Sequence, residues 1–344
     1  MTRWGVNVKG NQIAKAFFKV LLSGMLAFLI LTLFCFFYYN VPVHCENNEG
    51  TTDYKWEPHV FFSRGTEGFA WGKTNNEGFT DLFAYSDDVD VDVLIMGSSH
   101  MEAFQVAMDE SLAGQLNERM GDRTVYNIGI SGHNFLTCCG NLEAALERYS
   151  PSYLIIETED CLFSDEALTD AVNGTTAEIP SHAGGILGLL QKNQYLRLLY
   201  AQFMNFKGEQ VGDADFATPA AQAPETVEES NNGELLSALL QKISGIAREH
   251  NAALIIMYHP GIAIDFDGTM RITGSSLASD QLGALCRENG IHYLDMRDRF
   301  LSEYEKDHTL PYGFVNTSVG TGHLNKRGHA MIADELYKLI TEVA

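Results

Sequence analysis

The stretch VDVLIMGSSH, residues 91–100, places a short apolar run directly before a glycine, two serines and a histidine. Four similar runs follow along the chain: TVYNIG (124–129), SYLIIET (152–158), AALIIMY (252–258) and IHYLDM (291–296). Short runs rich in Val, Ile and Tyr, separated by helical patterns, are typical of parallel strands buried on both faces. The sequence therefore predicts a five-stranded, mostly parallel sheet.

Helical patterns lie between these runs, at residues 110–120, 141–149, 234–250 and 276–289, and a last one closes the chain. Alternating strands and helices connect by right-handed crossovers, which predicts a three-layer, doubly wound α/β domain over residues 89–344. An insertion at 159–233 interrupts this domain. We interpret its apolar piece at 186–204 as an extra helix or a lid, and its polar end, 208–233, as a mobile segment.

Residues 20–39 contain no charged side chain and are long enough to span a bilayer as a helix. Lys15 and Lys19 precede this run and the first acidic residue is Glu46, so the positive-inside rule places residues 1–19 in the cytoplasm and residues 41–344 outside. The alternative is a cleaved signal peptide, but the run is longer than an ordinary signal core and no small-x-small cleavage pattern follows it. We expect residues 41–88, rich in aromatic residues, Gly and Asn, to be a connector that packs on the domain.

Composition excludes several classes of protein. Of 344 residues, 45% are hydrophobic and six are cysteine, which excludes a disordered chain and a disulfide scaffold. After residue 40 the chain has 19 basic and 45 acidic side chains, a balance that argues against binding nucleic acid. A disulfide between Cys138 or Cys139 and Cys161 is conceivable in an exported protein, but spacing does not decide it. The cysteines make a poor zinc site, and we expect no metal or cofactor.

Ligands of open parallel sheets bind beyond the carboxyl ends of the strands. The first strand leads into residues 97–100 (GSSH), the second into residues 127–134 (NIGISGHN), and the loop before the last helix contains His323. A serine in a tight strand-to-helix turn, a loop of small residues and a late histidine can supply a nucleophile, an oxyanion hole and a base.

These residues resemble the SGNH (GDSL-like) hydrolase superfamily, specifically its exported GSS-type branch of bacterial esterases and O-acyltransferases. Over residues 90–163 and 234–344, Ser99 matches the nucleophile and His323 the base. Gly132 matches the glycine whose N–H joins that of Ser99 in the oxyanion hole. The resemblance implies a membrane-anchored, extracytoplasmic serine esterase or O-acyltransferase that acts on an acylated carbohydrate of the cell envelope or an exopolysaccharide.

Two departures from the family pattern affect the site. Position 320, three residues before the histidine, is Gly instead of an acid, so we expect His323 to be oriented by a backbone carbonyl, Asn316 or Asp295, or to work in a Ser-His dyad. Gly320→Asp should then be neutral or beneficial. Glu159 stands where the family has an Asn, and an ionised carboxylate cannot donate to an oxyanion. A catalytically degenerate module that binds glycan or protein partners is therefore the alternative function.

The remaining candidates are polar residues at or near strand ends. We interpret Ser98 as a turn residue and His329 as a helix-surface residue. The carboxylates at 157–160 could form the acid pair of a glycosidase, but adjacent residues of a strand point to opposite faces of the sheet. The Ser-His set is therefore the better candidate for the site. Further residues are predicted to line the pocket: His100, Asn134, Glu159, His259, Asn316 and Asn325.

Overall fold

The computed structural model of this chain describes residues 4–174, 193–206 and 232–343. Its helices are α1 Trp4–Tyr38, α2 Ser99–Glu102, α3 Leu112–Met120, α4 Phe135–Tyr149, α5 Asp165–Asn173, α6 Gln194–Phe206, α7 Gly233–Glu249, α8 Ser276–Glu288, α9 Arg297–Asp307 and α10 Lys326–Val343. Its strands are β1 Tyr39–Asn40, β2 His44–Glu46, β3 Tyr54–Trp56, β4 Phe61–Arg64, β5 Ala70–Lys73, β6 Val93–Met96, β7 Val125–Asn127, β8 Tyr153–Thr158, β9 Ala253–Tyr258, β10 Ile262–Ile264, β11 Met270–Ile272 and β12 His292–Asp295.

The central sheet has the strand order β12-β9-β8-β6-β7, and every neighbouring pair is parallel. Each of the five predicted runs supplies one strand, so the predicted fold class is confirmed. In β6 all four side chains are at most 1% exposed, because helices cover both faces. Val93 and Ile95 face the layer of α3, α9 and α10, whereas Leu94 and Met96 face the layer of α4, α7 and α8.

The N-terminal helix α1 ends one residue before the end of the predicted span. Its stretch Gln12–Tyr38 has 27 residues and is long and apolar enough to cross a membrane. Large apolar side chains along it, such as Leu26 and Phe34, are exposed. By length and composition, such a helix fits a membrane anchor and a signal sequence alike.

Residues 41–88 contain β2 to β5. Strands β2 and β3 pair with each other, and β4 lies between β1 and β5 in a second antiparallel sheet. Trp56 and Phe62 are buried and pack on Phe104, with ring centroids 5.5 and 4.5 Å from its ring. Because Phe104 follows α2, this packing brings the connector next to the end of β6.

The insertion contributes α5 and α6. Over its described residues, α6 packs mainly on α1, where the rings of Tyr195 and Phe28 lie 5.9 Å apart, and not on the central sheet. Residues 186–192 of the predicted helical piece and residues 208–231 of the predicted mobile segment lie outside the described residues. Asn232 and Gly233, at the end of that segment, are the N-cap and first residue of α7.

The six cysteines are free thiols. The conceivable pairing of Cys138 or Cys139 with Cys161 is therefore not formed. Both adjacent cysteines lie on the buried face of α4, where they pack as small apolar side chains.

Candidate active site

Two serines lie in the turn where β6 leads into the one-turn helix α2. Ser98 is the N-cap of α2, and its Oγ accepts a hydrogen bond from the His100 N–H at 3.2 Å. Gly97 permits the close approach of β8, because a Cβ at this position would lie 2.6 Å from Glu157 Oε2. The turn thus uses the Ser98 hydroxyl locally, and Ser99 is the first residue of the helix.

Ser99 and His323 meet although 224 residues separate them, with 2.9 Å between Ser99 Oγ and His323 Nε2. The imidazole lies in the loop before α10 and is only 4% exposed. Burial lowers the pKa of His323 more than its hydrogen bond to a carboxylate raises it. The ring is therefore neutral near pH 7, and Nε2 can accept the serine proton.

The acid partner of His323 is Glu67, a connector residue that the sequence did not single out. Glu67 Oε2 lies 2.8 Å from His323 Nδ1, and Oε1 accepts the backbone N–H of His323 at 2.6 Å. Burial raises the pKa of Glu67, but the hydrogen bonds and charge of His323 outweigh this effect, so the pKa is lowered overall. An ionised Glu67 keeps the proton on Nδ1 and leaves Nε2 free to accept.

Glu67 lies in the turn between β4 and β5, which Asn316 holds in place. The Asn316 amide accepts the Gly68 N–H at 2.9 Å and donates to the carbonyls of Gly65 and Gly68 at 2.8 and 3.0 Å. Beside His323, Gly322 has a φ of +92°, and a Cβ there would collide with the Glu67 carboxylate. Because Gly322 has no side chain, the Glu67 carboxylate can lie directly against the loop that contains His323.

The orienting groups expected from the sequence lie elsewhere, so that expectation is wrong. Asn316 acts on the Glu67 turn and not on the imidazole. Asp295 forms an ion pair with Arg297, at 2.6 Å. Gly320 has a φ of +70°, and a Cβ there would face Ile262 at 3.4 Å instead of His323. The acid arrives from a hairpin that is remote in sequence, which a motif around the histidine cannot reveal.

Two backbone N–H groups are candidates for an oxyanion hole, one at Ser99 and one at Gly132. Gly132 lies in the loop after β7 with a φ of +88°, a conformation that favours glycine. This loop runs beside the turn of Ser98 and Ser99, since the Ile130 N–H donates to the Gly97 carbonyl at 3.0 Å. Among the described residues, neither candidate N–H is used in an internal hydrogen bond.

The connector also supports the loop of Gly132. The Tyr54 hydroxyl donates to the Ser131 carbonyl, and the Ser131 hydroxyl donates to the buried carboxyl group of Glu102. Trp56 Nε1 donates to the same carboxyl group. Burial raises the pKa of Glu102 to about 7, against the effect of these hydrogen bonds. The connector therefore contacts both the acid side and the oxyanion side of the site.

Glu159 pairs with His100. His100 Nδ1 accepts the Leu324 N–H at 3.1 Å, so its proton is on Nε2, which donates to Glu159 Oε2 at 3.1 Å. This hydrogen bond lowers the pKa of Glu159 to about 2, although burial opposes the shift. The Glu159 carboxylate is thus ionised and cannot donate to an oxyanion. His100 is buried and supports the loop of His323 instead of lining a cavity.

His259 is fully buried beneath the site, so its predicted place in the pocket lining is wrong. Its Nε2 lies 2.6 Å from Glu157 Oε1 and its Nδ1 2.8 Å from the Tyr312 hydroxyl, which donates to the Pro260 carbonyl at 2.7 Å. Glu157 also accepts the Ser98 N–H at 2.7 Å. This network connects the ends of β8 and β9 to the turn of Ser98 and Ser99.

His329 is 1% exposed, so its predicted place on the helix surface is wrong. Burial lowers its pKa to about 3, and the ring is neutral. Within residues 4–174, 193–206 and 232–343, no three His, Cys, Asp or Glu side chains form a group that could hold a metal ion.

Two cavities adjoin these residues. One of about 230 Å³ lies beside Ser98 and is lined by Asn134 and Glu159, among others. A larger one of about 670 Å³ lies beside Gly68 and includes Asn325 in its lining. Asn134 and Asn325 are also the caps of α4 and α10, through hydrogen bonds to backbone N–H groups at 3.0 and 2.8 Å. Three of the six predicted pocket residues, Asn134, Glu159 and Asn325, line these two cavities.

No protein-family model matches the sequence, and no curated protein matches it. Solved structures do match, and they are similar over most of the chain. The psychrotrophic esterase EstA from Pseudoalteromonas sp. is 16% identical, with 74% of this chain and 98% of that chain covered, at a TM-score of 0.37. A lipolytic protein of the G-D-S-L family from Veillonella parvula is 14% identical, with 73% and 98% covered, at 0.40.

The acetyl xylan esterase AlAXEase is 12% identical, with 73% of this chain and 100% of that chain covered, at a TM-score of 0.43. Two of the matching structures are described as GDSL-type, the one from Veillonella parvula and a GDSL-like lipase from Parabacteroides merdae. Similarity at this level carries no information about substrate, and the chemistry follows from the side chains of the site.

Proposed function

We propose that this chain is a membrane-anchored serine esterase or O-acyltransferase in which Ser99, His323 and Glu67 act as a catalytic triad. The observation that carries the proposal is the continuous hydrogen-bonded path from Ser99 Oγ to His323 Nε2, 2.9 Å, and from His323 Nδ1 to Glu67 Oε2, 2.8 Å. A nucleophile, a base and an orienting acid in this order perform acyl transfer through a covalent intermediate. The alternative of a non-catalytic binding module rested partly on the missing acid at position 320. Glu67 provides an acid in its place.

In the proposed reaction, Ser99 Oγ attacks the carbonyl carbon of an ester while its proton moves to His323 Nε2. The N–H groups of Ser99 and Gly132 bind the negative oxygen of the tetrahedral intermediate. The C–O bond then breaks, and His323 gives its proton to the leaving alcohol. Water or a sugar hydroxyl next attacks the carbonyl carbon of the acyl group on Ser99 and gives its proton to His323 Nε2. The bond from that carbon to Ser99 Oγ then breaks, His323 returns the proton to Oγ, and the acid or the acylated sugar leaves. Ionised Glu67 balances the imidazolium in both steps.

The proposed substrate is an acylated carbohydrate of the cell envelope or an exopolysaccharide. The motif resemblance supports it, and so does the cavity beside Ser98, where Asn134, Glu159 and Asp160 offer groups that bind sugar hydroxyls. Hydrolysis of an acetylated oligosaccharide should therefore have a higher kcat/KM than hydrolysis of 4-nitrophenyl acetate. Equal values for the two substrates would argue against a carbohydrate.

The proposed topology has residues 1–19 in the cytoplasm, α1 across the membrane and the α/β domain outside. Lys15 and Lys19 before the apolar stretch support this orientation. Protease added to intact cells should digest the part after residue 40. Full protection of that part would contradict the topology, and a soluble mature form would identify a cleaved signal sequence.

Labelling of the full-length protein by a fluorophosphonate tests the catalytic proposal. The label should attach at Ser99, and Ser99→Ala should abolish both labelling and hydrolysis of 4-nitrophenyl acetate. Ser98→Ala is the matched control, because it removes the neighbouring hydroxyl, which caps α2 and donates to Glu157 Oε1 at 3.2 Å, and leaves Ser99 in place. We expect it to keep labelling and to cost about 1 kcal/mol of stability. A folded wild-type protein that resists labelling and hydrolyses no ester would favour the binding module.

A further inference from the structure

The β4–β5 hairpin that carries Glu67 is attached to the C-terminal end of α1. The last carbonyls of a helix have no partner within the helix. Here the carbonyls of residues 36, 37 and 38 accept hydrogen bonds from Ser63 Oγ at 2.9 Å, Trp71 Nε1 at 3.1 Å and the Gly65 N–H at 2.7 Å. Strand β1 continues directly from α1 and pairs with β4. Helix end and hairpin therefore form one unit.

The outer face of β5 exposes two aromatic side chains and one basic side chain. Phe69, just before the strand, is 69% exposed and Trp71 is 64% exposed, and Lys73 follows on the same face. Ala70, between the two aromatic residues, points inward and is buried. The Phe69 ring lies 6.4 Å from that of Tyr38, the last residue of α1. The aromatic surface is thus continuous with the apolar surface of the helix.

We propose that Phe69, Trp71 and Lys73 rest on the outer interface of the phospholipid bilayer that α1 spans. This inference rests on the proposed anchoring. The end of a membrane-spanning helix lies at the lipid–water boundary, where aromatic rings sit at headgroup level and lysine extends its ammonium group to water or to anionic headgroups. Trp71 is hydrogen-bonded to the last turn of α1, so it lies at that depth.

The position of the hairpin has a consequence for the substrate. Glu67 precedes Phe69 by two residues and bonds directly to His323. A bilayer that supports the hairpin therefore holds the catalytic centre close to the lipid surface. The site then takes esters that are presented at the membrane surface in preference to the same esters free in solution.

Fluorescence quenching by lipid tests this contact on the full-length protein. The protein is placed in nanodiscs of phosphatidylcholine and phosphatidylglycerol, with or without bromine on the acyl chains near the headgroup. The chain has three tryptophans, and the emission of Trp71 is the difference between wild type and Trp71→Phe. We expect brominated lipid to remove most of this emission. An undiminished Trp71 emission that aqueous acrylamide quenches fully would overturn the proposal and leave the face open to a protein partner.

Phe69→Ser and Phe266→Ser form a matched pair, since both replace an exposed phenylalanine and Phe266 lies in the separate β10–β11 hairpin. Phe69→Ser should make Trp71 more accessible to acrylamide in nanodiscs, and Phe266→Ser should leave its accessibility unchanged. Equal effects would also contradict the lipid contact. In Ser99→Ala, brominated lipid should quench Trp71 as strongly as in the wild type. The lipid contact can therefore be confirmed even if the catalytic proposal fails. A failure of the anchoring appears as protein that does not copurify with nanodiscs.

Discussion

Glu67→Gln keeps the size of the side chain but changes what faces His323. In the native protein both carboxylate oxygens accept, one from Nδ1 at 2.8 Å and one from the backbone N–H at 2.6 Å. A glutamine has one oxygen and one NH₂ group, so it satisfies only one of these donors. When the oxygen stays on the backbone N–H, the NH₂ group faces Nδ1. The imidazole proton then moves to Nε2, which can no longer accept from Ser99.

The size of the effect follows from this geometry. The variant loses the productive tautomer and also the countercharge of the imidazolium, a combination that costs roughly 10³- to 10⁴-fold in kcat. This corresponds to about 4–5 kcal/mol of transition-state stabilisation. We expect this loss in steady-state hydrolysis of 4-nitrophenyl acetate by the full-length protein, with an unchanged circular dichroism spectrum.

The pH profile provides a second measurement on the same variant. Deprotonated His323 is the proposed base, so kcat/KM should fall as the pH drops through its pKa. Burial places that pKa below the ordinary value of 6.5, and the Glu67 carboxylate opposes the shift. Removing the negative charge lowers the pKa further, so the acid limb should move to lower pH in Glu67→Gln.

Glu159→Gln is the matched control, because it makes the same change in a carboxylate bonded to His100 instead of His323. Its acid limb should stay close to that of the wild type, and its loss of kcat should be far smaller. Full activity in Glu67→Gln, or equal losses in both variants, would refute the reasoning. Full activity would mean that Glu67 is not needed for catalysis. Equal losses would mean that Glu67 acts only as a nearby negative charge.

Three further substitutions test the support of the site. Gly65→Ala places a Cβ 2.7 Å from the last carbonyl of α1, so it should displace the turn of Glu67 and lower kcat. In a double-mutant cycle, the same substitution should cause no further loss of kcat in the Glu67→Gln variant. Gly320→Asp forces a left-handed conformation on a residue with a Cβ, so it should lower the unfolding free energy by about 1 kcal/mol without raising activity; a gain in activity would contradict the role of Glu67. Glu157→Ala leaves buried His259 without its carboxylate and should cost about 3–5 kcal/mol in urea unfolding, whereas a loss under about 1 kcal/mol would mean that the pair contributes little.

Local sequence was sufficient to predict the sheet. A strand covered by helices on both faces must be apolar at nearly every position, so VLIM at 93–96 is recognisable without any partner. The place of Ser99 at the edge of the sheet could also be predicted, because it directly follows a parallel strand. His323 was predicted as its partner from the resemblance of its loop to a family motif. The pocket lining could not be predicted in full. Whether a histidine at a strand end faces a cavity or lies beneath it, as His259 does, depends on the packing of neighbouring elements.

The sequence by itself thus determined the fold class, the apolar N-terminal helix and the serine–histidine pair. Only the tertiary structure decided which acid completes the site. The RGTEG segment, 64–68, lies in the predicted connector, and nothing in its sequence indicates what Glu67 faces. Glu67 reaches His323 across 256 residues because the hairpin docks on the end of α1 and on Asn316. Contacts made by packing between remote elements follow no sequence period, so the identity of this acid emerges only when the chain is folded.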